Sequence, residues 1–163
     1  MPENPDSTTV HSVLFVCSAN QCRSPMAMAL LRDMVIRQSK NPDDWRIESA
    51  GVWAMPNLIA TSGAMICMTA INLSLEDHRS QTVTESLLDK FKLVLCMSEE
   101  HKRTLQRNFL EHASKIYLIS EMAVENDEVS DPVGGSGYAY VRAVEVISDY
   151  LTRGYERIKA LSR

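Results

Sequence analysis

The chain has no run of basic residues, no apolar stretch long enough to cross a bilayer and no cysteines spaced as metal-binding pairs. Each absence removes a class of function. Lys and Arg number 17 against 21 Asp and Glu, a formal charge of −4. With no cationic surface to neutralise phosphates, nucleic acid is not an expected partner. A membrane helix needs about 20 successive apolar residues, so no membrane association is expected. The segment Met1–Ser12 has neither the basic start nor the apolar centre of a signal peptide. It reads as a flexible lead-in, with residues 13–163 as one domain. The cysteines at 17, 22, 67 and 96 form no pair of pairs for zinc. Without a secretion signal they are expected to be free thiols in a reducing cytoplasm. No metal and no cofactor is implied, and there are no repeats, low-complexity tracts or internal linkers.

What is present is an alternation of buried strands and helices. Val13–Val16 is an unbroken apolar run of strand type. Pro25 to Gln38 predicts a helix with Met26, Ala29, Leu30, Met34 and the stem of Arg37 on its inner side. After the Asn41–Asp44 turn, Trp45–Ser49 reads as a strand ending in Ser49-Ala50-Gly51. Helices are expected over 58–70 and 82–90, strands over 93–97 and 116–119, and a further helix after Ser98, with serine as N-cap and acids in its first turn. Glu121–Ser130 reads as a polar loop, and Gly135–Arg153 as a closing amphipathic helix. The pattern predicts an α/β fold: a single three-layer domain with a central four-stranded parallel sheet and helices on both faces. In such sheets the cleft lies beyond the carboxyl ends of the strands, where the strand order switches. Cys17, Ser49 and Met97 stand at such ends.

The first of those ends carries the chemistry. Val16-Cys17 is followed by Ser18, Ala19, Asn20, Gln21, Cys22, Arg23, Ser24 and then Pro25, which opens the helical pattern. A thiol at the mouth of a loop, facing backbone N–H groups and the positive end of a helix, is placed to meet an oxyanion such as phosphate. Such surroundings favour a thiolate nucleophile. A cysteine with an arginine six residues on is a weak signal alone. The other three cysteines have Met28, Leu73 and Lys102 at that distance. The strand before, the serine after the arginine and the proline in the first helical turn make the reading specific. Ser18 to Ser24 is therefore a candidate phosphate-binding loop with Cys17 as its nucleophile.

In that loop, and over nearly the whole chain after Ser12, the sequence resembles the low-molecular-weight protein tyrosine phosphatases. The family's Val-Cys-x5-Arg-Ser-Pro is Val16 to Pro25, with the loop asparagine at Asn20 and the second loop cysteine at Cys22. Its Ser-Ala-Gly is Ser49-Ala50-Gly51, its Asp-His is Asp77-His78, and its late Asp-Pro is Asp131-Pro132. The stretch Met97-Ser98-Glu99-Glu100-His101-Lys102 also fits. The resemblance implies a protein phosphatase acting on phosphorylated proteins or peptides, with Cys17, Arg23 and Asp131 as catalytic residues. Cys17 attacks phosphorus, Arg23 grips the oxygens, and Asp131 protonates the leaving group and then activates water. It further implies that Asn20, Ser24, Ser49 and His78 form a hydrogen-bonded network behind the loop, and that phosphate-like anions bind there. On their own residues, His78 could equally be a surface turn histidine and Asp131 the aspartate of a turn.

Three positions depart from the usual pattern. Ala19 stands where glycine is frequent, so the backbone there must keep φ below zero. Gln21 replaces an apolar residue, as a small polar residue does in the branch that acts on phosphoarginine. Val133 replaces the aromatic that forms a wall against the substrate ring. The Gly134-Gly135-Ser136 that follows is closer to bacterial members, including that arginine-directed branch. Trp53 lies where the family places a cleft-rim residue, and reads either as a replacement wall or as a packing residue. Tyr138 and Tyr140 read as surface or helix-packing residues. Phosphotyrosine is the expected substrate, with phosphoarginine as the alternative. Arsenate reductases share the fold and the loop but need two further cysteines; Cys96 is suitably placed and none follows it. A non-catalytic anion-binding module would need neither thiol nor acid. Cys17 and Cys22 are close enough in sequence for oxidation to join them.

Overall fold

The computed structural model of the protein describes residues 9–163; of the expected lead-in over 1–12, residues 1–8 lie outside them, and His11 and Ser12 prove to belong to the first strand. Strand β1 is His11–Cys17. It begins two residues earlier than its apolar run, because His11 and Ser12 pair in register with Trp45 and Arg46 of β2, Trp45–Gly51. The sheet is completed by β3, Leu93–Cys96, and β4, Ile116–Leu118. All pairings are parallel and the order is β2-β1-β3-β4. The chain thus leaves β1 in one direction for β2 and returns on its other side as β3. The switch in strand order falls at the carboxyl end of β1, where Cys17 stands.

Alternation along β1 divides the interior. Val13, Phe15 and Cys17 face one apolar cluster, while Leu14 and Val16 face the other. The first cluster is covered by helix α1, Arg23–Gln38, helix α2, Ser62–Thr69, and helix α5, Gly137–Leu161. The second lies under helix α3, Glu85–Leu88, and helix α4, Glu99–Asn108. This is the expected three-layer arrangement.

Five local expectations are corrected. Helix α2 starts at Ser62 rather than Leu58, since residues 57–61 pair elsewhere. Asn57 N and Leu58 N donate to Ser80, and Thr61 N donates to Gln21 O in the phosphate loop. Helix α3 covers only 85–88. Val83 N instead donates to the Gly51 carbonyl at the end of β2, and Thr84 caps the helix. Helix α5 runs eight residues beyond Arg153, through Gly154, whose missing Cβ would lie 2.6 Å from the Met122 Cβ. That glycine lets α5 seat directly on the helical turn Ile119–Ala123, which occupies the start of the expected 121–130 loop. Arg37 lines no inner face; it is exposed and pairs with Asp33 at 2.7 Å.

Candidate active site

Residues 18–22 leave β1 and return directly into α1, so the loop is closed by the strand and by the first helical turn. Cys17 is 3 % exposed, and its Sγ lies 2.9 Å from Ser24 Oγ. Ser24 Oγ accepts a hydrogen bond from Asn20 Nδ2 at 2.9 Å, and its own hydrogen is shared between the sulfur and, more distantly, the Ala50 carbonyl at 3.4 Å. Asn20 has φ 57°, the left-handed geometry that asparagine tolerates, whereas Ala19 is not among the residues with positive φ. Asn20 is fully buried, and its side chain is held from three sides. Nδ2 donates to Ser24 and to Ser49 Oγ at 2.9 Å, and Oδ1 accepts from Gln81 N at 3.0 Å. His78 Nε2 donates to the Asn20 carbonyl at 2.6 Å. The four residues expected behind the loop are thus brought together, with Gln81 as a member the sequence reading did not contain. Burial lowers the proton affinity of His78, in keeping with a neutral ring.

Gly51 lets the end of β2 pass directly beneath the loop. A Cβ there would stand 2.6 Å from Ser18 O and 3.0 Å from Asn20 N. Just beyond it, Val52 N and Trp53 N donate to the carbonyls of Cys17 and Ser18. Trp53 is therefore beside the loop, and the residue is 53 % exposed.

Arg23 is 6 % exposed and donates from Nη1 to the Val129 carbonyl at 2.8 Å. Its Nη2 is 3.7 Å from Asp131 Oδ2, which is half exposed to solvent. Val129 N in turn donates to Met97 O at the end of β3, so the segment bearing Asp131 is anchored at the cleft. Asp131 Oδ1 accepts from Val133 N at 3.1 Å, while the Val133 side chain remains exposed. Gln21 is half-buried. Its Nε2 donates to the Ile59 carbonyl at 2.9 Å, leaving Oε1 as its acceptor. Burial pushes the Cys22 thiol up to about 12, and both loop cysteines are free thiols. Tyr140 packs its ring against Gly63, and Tyr138 is exposed.

The profile of the family described as low molecular weight phosphotyrosine protein phosphatase matches residues 12–162. The chain belongs to that family. As a member it is a phosphomonoester hydrolase. It is 32 % identical over 148 residues to a protein-arginine-phosphatase of Bacillus subtilis (strain 168), covering 90 % of this chain and 96 % of that one. A solved low molecular weight protein tyrosine phosphatase from T. tengcongensis superposes with a TM-score of 0.84 at 34 % identity, covering 90 % and 99 % of the two chains. The YwlE arginine phosphatase, solved as an active-site mutant with a phosphorylated active-site serine, gives a TM-score of 0.85 at 32 % identity, covering 91 % and 95 %.

Sequence reasoning assigned no role to His101, although it is 2 % exposed and its Nε2 lies 2.8 Å from Ser18 Oγ. Nothing in its spacing marks it. Only the docking of α4 on the end of β1 brings it to the loop. Burial first, and the nearby Arg23 charge second, lower its pKa from 6.5 to about 4. The unfolded chain therefore takes up this proton as pH falls through 6.5, and the folded protein only near 4. Stability held above pH 6.5 is lost across that window, by up to about 3 kcal/mol in full. Urea unfolding at about pH 7.5 and about pH 4.5 is expected to show a smaller drop for His101→Gln than for the parent. Equal drops would assign the acid sensitivity to other groups, such as His78.

Proposed function

We propose that this chain dephosphorylates phosphotyrosine in proteins or peptides through a cysteinyl-phosphate. The observation that carries the reading is the Cys17 sulfur, hydrogen-bonded to Ser24, beneath a loop whose arginine stands beside Asp131. Cys17 attacks phosphorus in line with the departing oxygen, and the loop amides and Arg23 take up the charge spreading over the equatorial oxygens. Asp131 protonates the leaving oxygen. It then removes a proton from the water that hydrolyses the S–P bond, and Ser24 donates to the sulfur as it departs. Pro132 restrains the segment carrying the acid. Trp53 supplies the aromatic face that Val133 does not. Phosphate, sulfate and related anions bind the same loop. Four free thiols suit a reducing cytoplasm.

An arsenate-reductase chemistry finds no support in Cys96, which is fully buried in β3 with its thiol pushed well up by burial. A phosphoarginine substrate is the second reading, favoured by Gln21. With Nε2 engaged by Ile59, the amide offers an acceptor oxygen, which suits guanidinium N–H groups and not a phenyl ring. Turnover of matched phosphotyrosine and phosphoarginine peptides decides between the two. Gln21→Ile is expected to move the ratio of their kcat/KM values toward phosphotyrosine by about tenfold or more, since a lost polar partner discriminates strongly. An unchanged ratio would place Gln21 outside substrate recognition.

A further inference from the structure

We propose that His101 is a positioning residue of the phosphoryl site, acting through the Ser18 hydroxyl and the Trp53 ring. The proposal rests on the phosphatase reading above and adds to it a residue that the reaction itself does not require. His101 Nδ1 is the one buried side-chain nitrogen or oxygen among the described residues that has no hydrogen-bond partner. Such an orphan costs stability, and an apolar side chain would avoid it. What the imidazole provides in return is its other nitrogen, 2.8 Å from Ser18 Oγ.

The orphan also selects a tautomer. If Nε2 accepted from Ser18, Nδ1 would carry a proton and a buried N–H would be left without an acceptor, a rare arrangement. With the proton on Nε2, the ring donates to Ser18 Oγ and only a lone pair is left bare. Ser18 is then an acceptor toward His101, and its own O–H is released. Among the described residues Ser18 Oγ has no other partner. The residue directly follows Cys17 in the loop and is half-buried. A freed hydroxyl at that position is a donor for a phosphoryl or leaving oxygen bound in the loop.

The same ring backs the cleft wall. The Trp53 and His101 rings are tilted by 60° with centroids 6.0 Å apart, within the range of edge-to-face packing. Trp53 N donates to Ser18 O at 3.0 Å, so Ser18, Trp53 and His101 brace one another in a closed circuit. The platform beneath is rigid. Ser98 Oγ accepts from His101 N to cap α4, and Met97 N donates to Val16 O, tying the start of α4 to β1.

The test is a double-mutant cycle with His101→Leu, Ser18→Ala and the double variant, together with His101→Gln, which keeps an N–H donor. Circular dichroism and thermal midpoints establish that each variant is folded. The readouts are kcat and KM for p-nitrophenyl phosphate and the inhibition constant of inorganic phosphate, which reports the anion site without the chemistry. His101→Leu is expected to weaken phosphate binding and to lower kcat/KM by about tenfold, His101→Gln to recover most of the loss, and the double variant to be no worse than Ser18→Ala. Losses that add across the cycle, or a Gln variant as impaired as Leu, would overturn the proposal. If His101→Leu does not fold, His101→Asn, polar but too short to reach Ser18, takes its place in the cycle. Failure of the nucleophile reading would show instead as activity retained by Cys17→Ser, with the phosphate-binding cycle unaffected.

Discussion

Cys17→Ser is expected to lower turnover of an aryl phosphate by at least about a thousandfold while leaving inorganic phosphate or vanadate bound. The asymmetry follows from how the site is divided. The sulfur supplies the electron pair that forms the S–P bond, and a serine hydroxyl would need a base to do the same. Among the described residues no such base touches position 17: His101 is committed to Ser18 and His78 to the Asn20 carbonyl. In the proposed mechanism the anion cradle belongs to other atoms, namely the amides of the loop and the Arg23 fork, and these keep their anchors in Asn20, Gly51 and Val129. Calorimetric titration with phosphate beside a steady-state assay separates the two. A serine variant retaining more than a few per cent of activity would remove Cys17 from the role.

Asp131→Asn is expected to slow hydrolysis by about 10²–10⁴-fold for alkyl phosphates and by far less for nitrophenyl phosphate. Nitrophenolate leaves without a proton, whereas an alkoxide does not. The proposal places Asp131 for this work: it is half exposed, 3.7 Å from Arg23 and braced by the Val133 N–H. Asparagine keeps that last hydrogen bond, so the comparison isolates the proton. Equal losses for the two leaving groups would move the acid role to another residue.

Cys17 and Arg23 stood out as candidates before any coordinates because their pattern is local, whereas Asp131 was singled out only by the family resemblance. A strand, a short loop with thiol and arginine, and a helix beginning at once leave the backbone little choice, and Asn20 takes the left-handed conformation its residue type permits. The four-stranded parallel sheet follows almost as directly, since alternating strands and helices admit few arrangements, while its order β2-β1-β3-β4 came only with the structure. What sequence did not reveal depends on partners distant in the chain. Helix α5 continues through Gly154 because Met122 fills the space, and no pattern within 137–161 announces that contact. Helix α2 begins late because Gln21 and Ser80 take up the backbone groups of residues 57–61. Arg37 looked inward by periodicity alone, and its ion pair with Asp33 turned it to solvent. His101 sits inside a stretch that fitted the family, but its bond to Ser18 spans 83 residues.

Arg23 touches the acid segment twice, through the Val129 carbonyl and beside Asp131. The guanidinium proposed to grip the phosphoryl group is thus also a strut of the segment that carries Asp131. Two events sharing one structural element are thermodynamically linked, and the linkage is reciprocal. By whatever factor an occupied anion site favours the ordered acid segment, ordering of that segment must tighten the anion. On the roles proposed for Arg23 and Asp131, substrate capture and the arming of its proton donor are two coupled equilibria.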